Sequence, residues 1–133
     1  MARLTVEVVT PERRVLSAQA DEVIAPGADG LFGVRPGHTP FLSVVHPGTL
    51  TLRDGGSSQS FFVAGGFVEV GNDTVRVLAD QVEPVDAIDV PAAQRRLDAA
   101  RERLRGLSAD HASFELESAA VRRETARMAA VVR

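Results

Sequence analysis

The chain has 133 residues, 44% of them apolar and 25% charged, with a formal net charge of −3 at pH 7. That length holds one ordinary domain, or a small domain with an appendage, and that apolar content supports a packed core rather than disorder. The near-neutral charge supplies no field for gathering nucleic acid or anionic membrane, and the absence of Cys excludes a disulfide framework, a thiolate zinc site and a cysteine nucleophile.

The opening Met1-Ala2-Arg3-Leu4-Thr5 runs straight into a strand pattern without a signal-peptide core. No stretch approaches the length of apolar sequence that a membrane-spanning helix needs. The expectation is a protein kept in the cytoplasm, touching a membrane only through a membrane-bound partner. Leu4, Val6 and Val8 alternate with Thr5 and Glu7, a period of two that buries one face. Pro11 stops that strand, because it lacks a ladder N–H. Val23-Ile24-Ala25 is a short apolar run closed by Pro26-Gly27, and residues 42–45 form another, closed by Pro47-Gly48. Leu50 and Leu52 alternate with Thr51 and Arg53 before the turn Asp54-Gly55-Gly56. Phe61-Phe62-Val63 and Phe67-Val68-Glu69-Val70 flank Gly65-Gly66, and Gly71-Asn72-Asp73 turns into Val75-Arg76-Val77-Leu78. Turn signals at such regular spacing predict a β-sandwich or barrel over residues 1–86.

The pattern changes near Asp89, a good helix N-cap, with Pro91 in the first turn where a missing N–H is tolerated. Ala93, Leu97, Ala100, Leu104 and Leu107 then lie on one helix stripe. Asp98 is spaced to meet Arg101 and Glu102, and Glu102 to meet Arg105, on a solvated face. Gly106 and Ser108-Ala109-Asp110 break this helix, and a second is expected over about residues 111–132. Its stripe is thin: Phe114, Val121, Met128 and Val132, interrupted by Ser118 and Thr125, with Ala filling much of the rest. Ala favours the helix but buries little area. Residues 87–133 therefore read as an antiparallel helical hairpin with marginal docking onto the β domain.

All 15 basic residues are Arg, the better donor for bidentate carboxylate contacts, although a genome-wide codon bias explains the absence of Lys equally well. Residues 1–88 carry 6 Arg against 11 acids, and residues 89–133 carry 9 Arg against 7 acids. The hairpin is thus the part suited to an acidic partner. Arg95, Arg96, Arg101, Arg103 and Arg105 read as an ordinary wet helix face. Arg122, Arg123 and Arg127 have few acids nearby in sequence, and Arg123 with Arg127 is an i,i+4 like-charge pair that a partner would relieve.

Catalytic and metal motifs are missing. His38, His46 and His111 have no metal-ligand spacing, and no Gly-x-Ser-x-Gly elbow occurs. The glycines of 27–33 lack the spacing, the Lys and the following helix of a phosphate loop, so a turn and a short strand account for them. The segment 33–40 holds two prolines and two glycines, and reads either as a partner-contact loop or as a stiff turn.

Taken in order, Val8-Val9-Thr10-Pro11, Gly30-Leu31-Phe32-Gly33-Val34-Arg35-Pro36-Gly37-His38-Thr39-Pro40, Pro47-Gly48, Ala64-Gly65-Gly66-Phe67-Val68-Glu69-Val70 and Val77-Leu78-Ala79-Asp80 resemble the epsilon subunit of bacterial F-type ATP synthases. With the hairpin, the resemblance covers nearly the whole chain. It implies a ten-stranded β-sandwich followed by an antiparallel two-helix hairpin. It also implies a non-catalytic place in the central stalk, coupling proton-driven rotation to ATP synthesis at the cytoplasmic face of the cell membrane. The implied partners are the gamma subunit, the membrane rotor ring and the alpha/beta catalytic head. The hairpin, docked or extended, would restrain ATP hydrolysis. Neither a metal nor a catalytic residue is implied.

Residue by residue, the resemblance puts Arg35, Pro36, Gly37 and His38 at the rotor ring, and Arg122, Arg123 and Arg127 at the acidic head. Leu31 stands where many relatives carry Glu, so a charged ring contact is missing there. Some relatives bind ATP under the hairpin. Glu83, Ile88, Asp89 and Ala93 match that site, but Ala92 replaces its Arg, unless Arg95 or Arg96 substitutes from the next turn. Weak or no ATP binding is expected. A stand-alone ligand-binding sandwich with a helical lid is the alternative; a hydrolase is a distant third.

Overall fold

Alternating burial builds the first strand: Leu4, Val6 and Val8 are buried while Thr5 is exposed. The computed structural model describes residues 3–131; Met1, Ala2 and the expected stripe position Val132 lie outside them. Ten strands follow in order: β1 Leu4–Val9, β2 Arg14–Ala20, β3 Glu22–Gly27, β4 Gly30–Val34, β5 Phe41–Val45, β6 Gly48–Asp54, β7 Ser57–Val63, β8 Gly66–Gly71, β9 Thr74–Ala79 and β10 Val82–Pro84. A short 3-10 turn, Val85–Ala87, leads to α1 Val90–Arg105 and α2 Phe114–Val131.

The ladder runs β10-β7-β6-β3-β5-β8-β9-β1-β2, with β4 paired to β3. β3 is the corner of the sandwich. Its first half pairs with β6, and its last residue, Gly27, pairs with Val45 of β5. The inward faces of both halves meet in one apolar core, including Leu4, Val6, Val23, Leu50, Val68 and Val77. Pro26-Gly27 was expected to close the apolar run, yet both residues lie inside β3, paired with Leu31 and Gly30. Pro26 gives up no needed donor there. Its carbonyl instead accepts the His46 N–H at 2.8 Å, tying the two halves together. The β1–β9 pair is parallel, the one such pair among the described strands.

Elsewhere the punctuation acts as the sequence indicates. Asn72 and Asp73 take φ of 51° and 58°, the two left-handed positions that let a two-residue hairpin follow strand twist. Gly66 is under a harder constraint. Its φ is +143°, and an added Cβ would sit 1.9 Å from the Leu78 carbonyl oxygen. The backbone of β8 can approach β9 this closely only without a side chain.

The switch from period two to helix falls across the 3-10 turn. Asp89 caps α1 by accepting the Ala92 N–H at 3.0 Å. Ala93, Leu97 and Ala100 are buried, as their stripe requires. Arg105 donates to Glu102 at 2.7 Å, while Asp98 accepts from Gln94 at 2.9 Å. Gly66→Ala should destabilise the sandwich by about 3 kcal/mol or more, read as a fall in melting temperature; an unchanged melt would contradict the close approach.

Candidate functional site

Three places concentrate chemistry: the 35–38 loop, the outer face of one sheet layer, and the recess beneath the hairpin. The loop hangs on the turn at the far end of β8–β9. The Gly37 N–H donates to Asp73 Oδ1 at 2.7 Å, and Gly37 has a φ of +86° that favours glycine. The His38 N–H closes a turn onto the Arg35 carbonyl at 3.1 Å. Arg35 projects into solvent and pairs with Glu22 at 3.2 Å. Pro36 is half-buried, and the His38 ring lies 5.0 Å from Phe41. The loop is therefore stiff, with a cation and an imidazole at its rim.

At the opposite end of the same layer lies a row that sequence reading did not single out. Val44 pairs with Phe67, Phe67 with Leu78, and Leu78 with Val9. Phe67 is 49% exposed, and Val44 and Leu78 are similarly open. The next outward row starts with exposed Leu42 and is otherwise charged: Glu69, Arg76 and Glu7 lie side by side, with Arg76 3.8 Å from each acid. Large apolar side chains held side by side on an outer face mark a contact surface. The signal was present in the sequence, since Phe67 and Leu78 occupy the outward parity of strands whose inward parity is already apolar.

The recess lies where α2 meets the sandwich. α2 is a middle layer, with α1 on one side and β6, β7 and the 3-10 turn on the other. The expected stripe of Phe114, Val121 and Met128 is only half-buried; the buried positions are Glu117, Ala120, Glu124, Arg127 and Ala130. A helix packed on two sides cannot be read as one apolar stripe, and here charges take the buried places. Small apolar groups complete the contact: Ala130 joins Phe62 and Val85, with Ala126, Val131 and Ile88 beside them.

Glu124 stands at the centre, 1% exposed. It accepts from Arg96 on α1 at 2.9 Å, and from Arg123 and Arg127 on α2 at 2.9 and 3.0 Å. Arg127 also pairs with Glu83 on β10, donates to the Gln81 side chain at 2.9 Å, and stacks 4.6 Å over the Phe62 ring. Two turns along the hairpin, Arg103 pairs with Glu117 at 2.7 Å. Arg96 and Arg103 are seven apart on α1, and Glu117 and Glu124 seven apart on α2. That matched step is the antiparallel register of the hairpin, and it was legible as a spacing.

The premise that Arg122, Arg123 and Arg127 lack nearby acids is corrected. Arg122 pairs with Glu115 at 2.6 Å, Arg123 with Glu124, and the buried Arg127 with Glu124 and Glu83. Glu83 is 44 residues away in sequence, out of reach of a helix-spacing argument. The nucleotide-motif residues do share the recess: Glu83, Asp89 and Ala92 line it with Arg96, Arg123 and Arg127. Ile88 instead packs on the Phe62 cluster, and Arg96, rather than Arg95, reaches the recess. Three guanidiniums there face three carboxylates, and each guanidinium already holds a carboxylate.

Burial pushes the Glu124 carboxyl up, but hydrogen bonds from Arg123, Arg96 and Arg127 outweigh it and hold the group below the ordinary glutamate range. Removing one partner of a buried pair costs about 3–5 kcal/mol; half-exposure of Arg96 favours the low end here.

The residues also place the chain among known proteins. Residues 3–85 match the model of the ATP synthase delta/epsilon chain β-sandwich domain. The ATP synthase epsilon chain of Myxococcus xanthus (strain DK1622) is 65% identical over 130 residues, 98% of this chain and 96% of that one. The epsilon chain of Anaeromyxobacter sp. (strain K) is 47% identical, over 94% of this chain and 95% of the relative. In fold, the chain is similar to one in the Euglena gracilis mitochondrial ATP synthase OSCP/F1/c-ring structure, with TM-score 0.85 and 22% identity, covering 98% of this chain and 82% of that one. It is also similar to one in the Tetrahymena thermophila mitochondrial ATP synthase central stalk/c-ring structure, with TM-score 0.66 and 19% identity, covering 96% and 97%.

Because the carboxyl of Glu124 is lowered on folding, its stabilisation is present above the unfolded glutamate pKa and lost as pH falls through the folded value. Protection of α2 amides, corrected for intrinsic exchange, should hold from neutral pH down to the ordinary glutamate range and collapse below it. Protection unchanged down to full protonation would contradict this role.

Proposed function

The chain belongs to the family of ATP synthase epsilon chains, and we propose that it is the non-catalytic central-stalk subunit of an F-type ATP synthase, at the cytoplasmic face of a bacterial membrane. It couples proton-driven rotation to ATP synthesis by holding rotor parts together. The observation that carries this reading is near-full-length identity of 65% to an epsilon chain. The exposed row of Val44, Phe67 and Leu78 supports it, because a sandwich with its own closed core has no internal use for that surface. In this reading the row seats gamma, and the stiff loop of Arg35, Pro36, Gly37 and His38 faces the membrane rotor ring. No helix among the described residues is long and apolar enough to cross a membrane, in keeping with attachment through these partners.

The hairpin is the regulatory part in this reading. Its contact with the sandwich is small and Ala-rich, so exchange between docked and extended positions is a matter of a few kcal/mol, of about the size of known switching equilibria. Extended, it presents Arg122, Arg123 and Arg127 to the alpha/beta head. ATP is not part of the working cycle proposed here: Ala92 supplies only a methyl group, and the recess has no uncommitted guanidinium for phosphates. The same observation speaks against ATP as the ligand of the lid-over-ligand alternative.

A tagged chain should co-purify with gamma and membrane ATPase. Phe67→Asp should weaken that association by roughly tenfold or more, the loss of one anchor at an interface, with the melt of the sandwich unchanged. Equal recovery of the variant would remove the row from the interface. Deleting residues 89–133 should leave assembly intact and raise ATP hydrolysis; unaltered hydrolysis would rule out inhibition by the hairpin. Calorimetry with ATP on the isolated chain should be blank, and stoichiometric heat would restore the ligand-binding alternative.

A further inference from the structure

We propose that the charge of Glu124 is the latch of the hairpin: one buried carboxylate does the work of an anionic ligand and holds α1, α2 and the sandwich in a single arrangement. The proposal deepens the reading of the hairpin as a movable regulator and rests on it. Its basis is the division of contacts. α1 packs on α2 and makes little contact with the sheet. Among the described residues, the apolar contact of α2 with the sandwich side is made by Ala126, Ala130 and Val131 against Phe62 and Val85, and alanines bury little area. The directional contacts run through Glu124. Arg96 enters from α1, Arg123 and Arg127 from α2, and Arg127 carries the connection to Glu83 and Gln81 of the sandwich and to the face of Phe62.

Charge accounting sharpens the point. The groups facing one another in the recess are Arg96, Arg123 and Arg127 against Glu83, Asp89 and Glu124. They sum to zero, and among the described residues no buried side-chain nitrogen or oxygen lacks a hydrogen-bond partner. Asp89 is committed to the N-terminus of α1, and Glu83 reaches the cluster through Arg127. Glu124 alone touches all three cations. Neutralising it leaves Arg96, Arg123 and Arg127 crowded together, with Arg127 buried while Arg96 and Arg123 reach solvent, and separation of the hairpin from the sandwich rehydrates Arg127 and relieves the repulsion. The docked position thereby needs no soluble anion.

The test uses the full chain, which has no native Cys to interfere with labelling. Spin labels are placed through Asp29→Cys on an exposed turn of the sandwich and Ala129→Cys on the exposed side of α2. The parent should give one narrow inter-label distance. Glu124→Gln and Glu124→Ala should broaden and lengthen it, shifting the docked-to-open ratio by roughly tenfold or more. Glu115→Gln, which breaks only the exposed pair with Arg122, should match the parent. Melting curves check the sandwich in each variant. If the Glu124 variants lose the sandwich itself, Arg96→Gln should give the same direction of shift to a smaller extent. A parent-like distribution in both Glu124 variants, or in Arg96→Gln where that variant decides, would overturn the latch. The measurement needs no gamma subunit, so failure to join the ATP synthase would defeat the proposed function while leaving the latch result distinguishable.

Discussion

A carboxylate buried to the extent of Glu124 must be surrounded by donors, and this requirement sets where the C-terminal third of the chain can lie. Arg96 comes across from α1 while Arg123 and Arg127 approach from Glu124's own helix. That arrangement fixes the register of the hairpin. Arg127 then has to find further acceptors, and Glu83 and Gln81 at the edge of the sandwich are the ones it reaches. The relation between the two domains is therefore written in charge rather than in apolar area. Interactions of this kind are directional and fail together, because removing one member leaves the others unpaired.

The sandwich is held differently. Its core is continuous, almost wholly aliphatic, and closed by β3, which pairs with one half and then hands over to the other. Backbone constraint finishes the shape: Gly66 lets β8 lie against β9, and the Asn72-Asp73 turn sets the end from which the 35–38 loop is hung. A rigid body results, with an apolar row near one end of a layer and a stiff cationic loop at the other. Two separate contacts on a rigid body are what a coupling piece needs, since motion at one contact is passed to the other without loss in bending.

Much of this was legible beforehand. Period-two alternation located β1, β6, β8 and β9, and Asp89 with Pro91 marked the start of α1, because these are local effects of backbone geometry and side-chain parity. The resemblance in order and spacing of the glycine and proline motifs pointed to the family. β2 and β10 carried too little alternation to be found, and Pro26 misled, because a proline is harmless in a strand at a position that needs no N–H. α2 misled more. Its half-buried Phe114, Val121 and Met128 looked like the buried stripe, while the buried places go to Arg127, expected to await an acidic partner, and to Glu117 and Glu124, for which the sequence suggested no role.

The reason for that reversal is general to the molecule. Strand, turn and helix in this chain follow from residues within a few positions of one another, so pattern and punctuation were enough to divide it into an all-β part and a helical pair. Whether a charged side chain is surface or core depends on what arrives from elsewhere. Arg127 is buried because Glu83 comes from 44 positions away and Glu124 from the turn before it. The pairing of Phe67 with Val44 and Leu78 across three strands is likewise a property of the assembled sheet. Local order came from the sequence; the latch and the apolar row exist only once distant segments have been brought together.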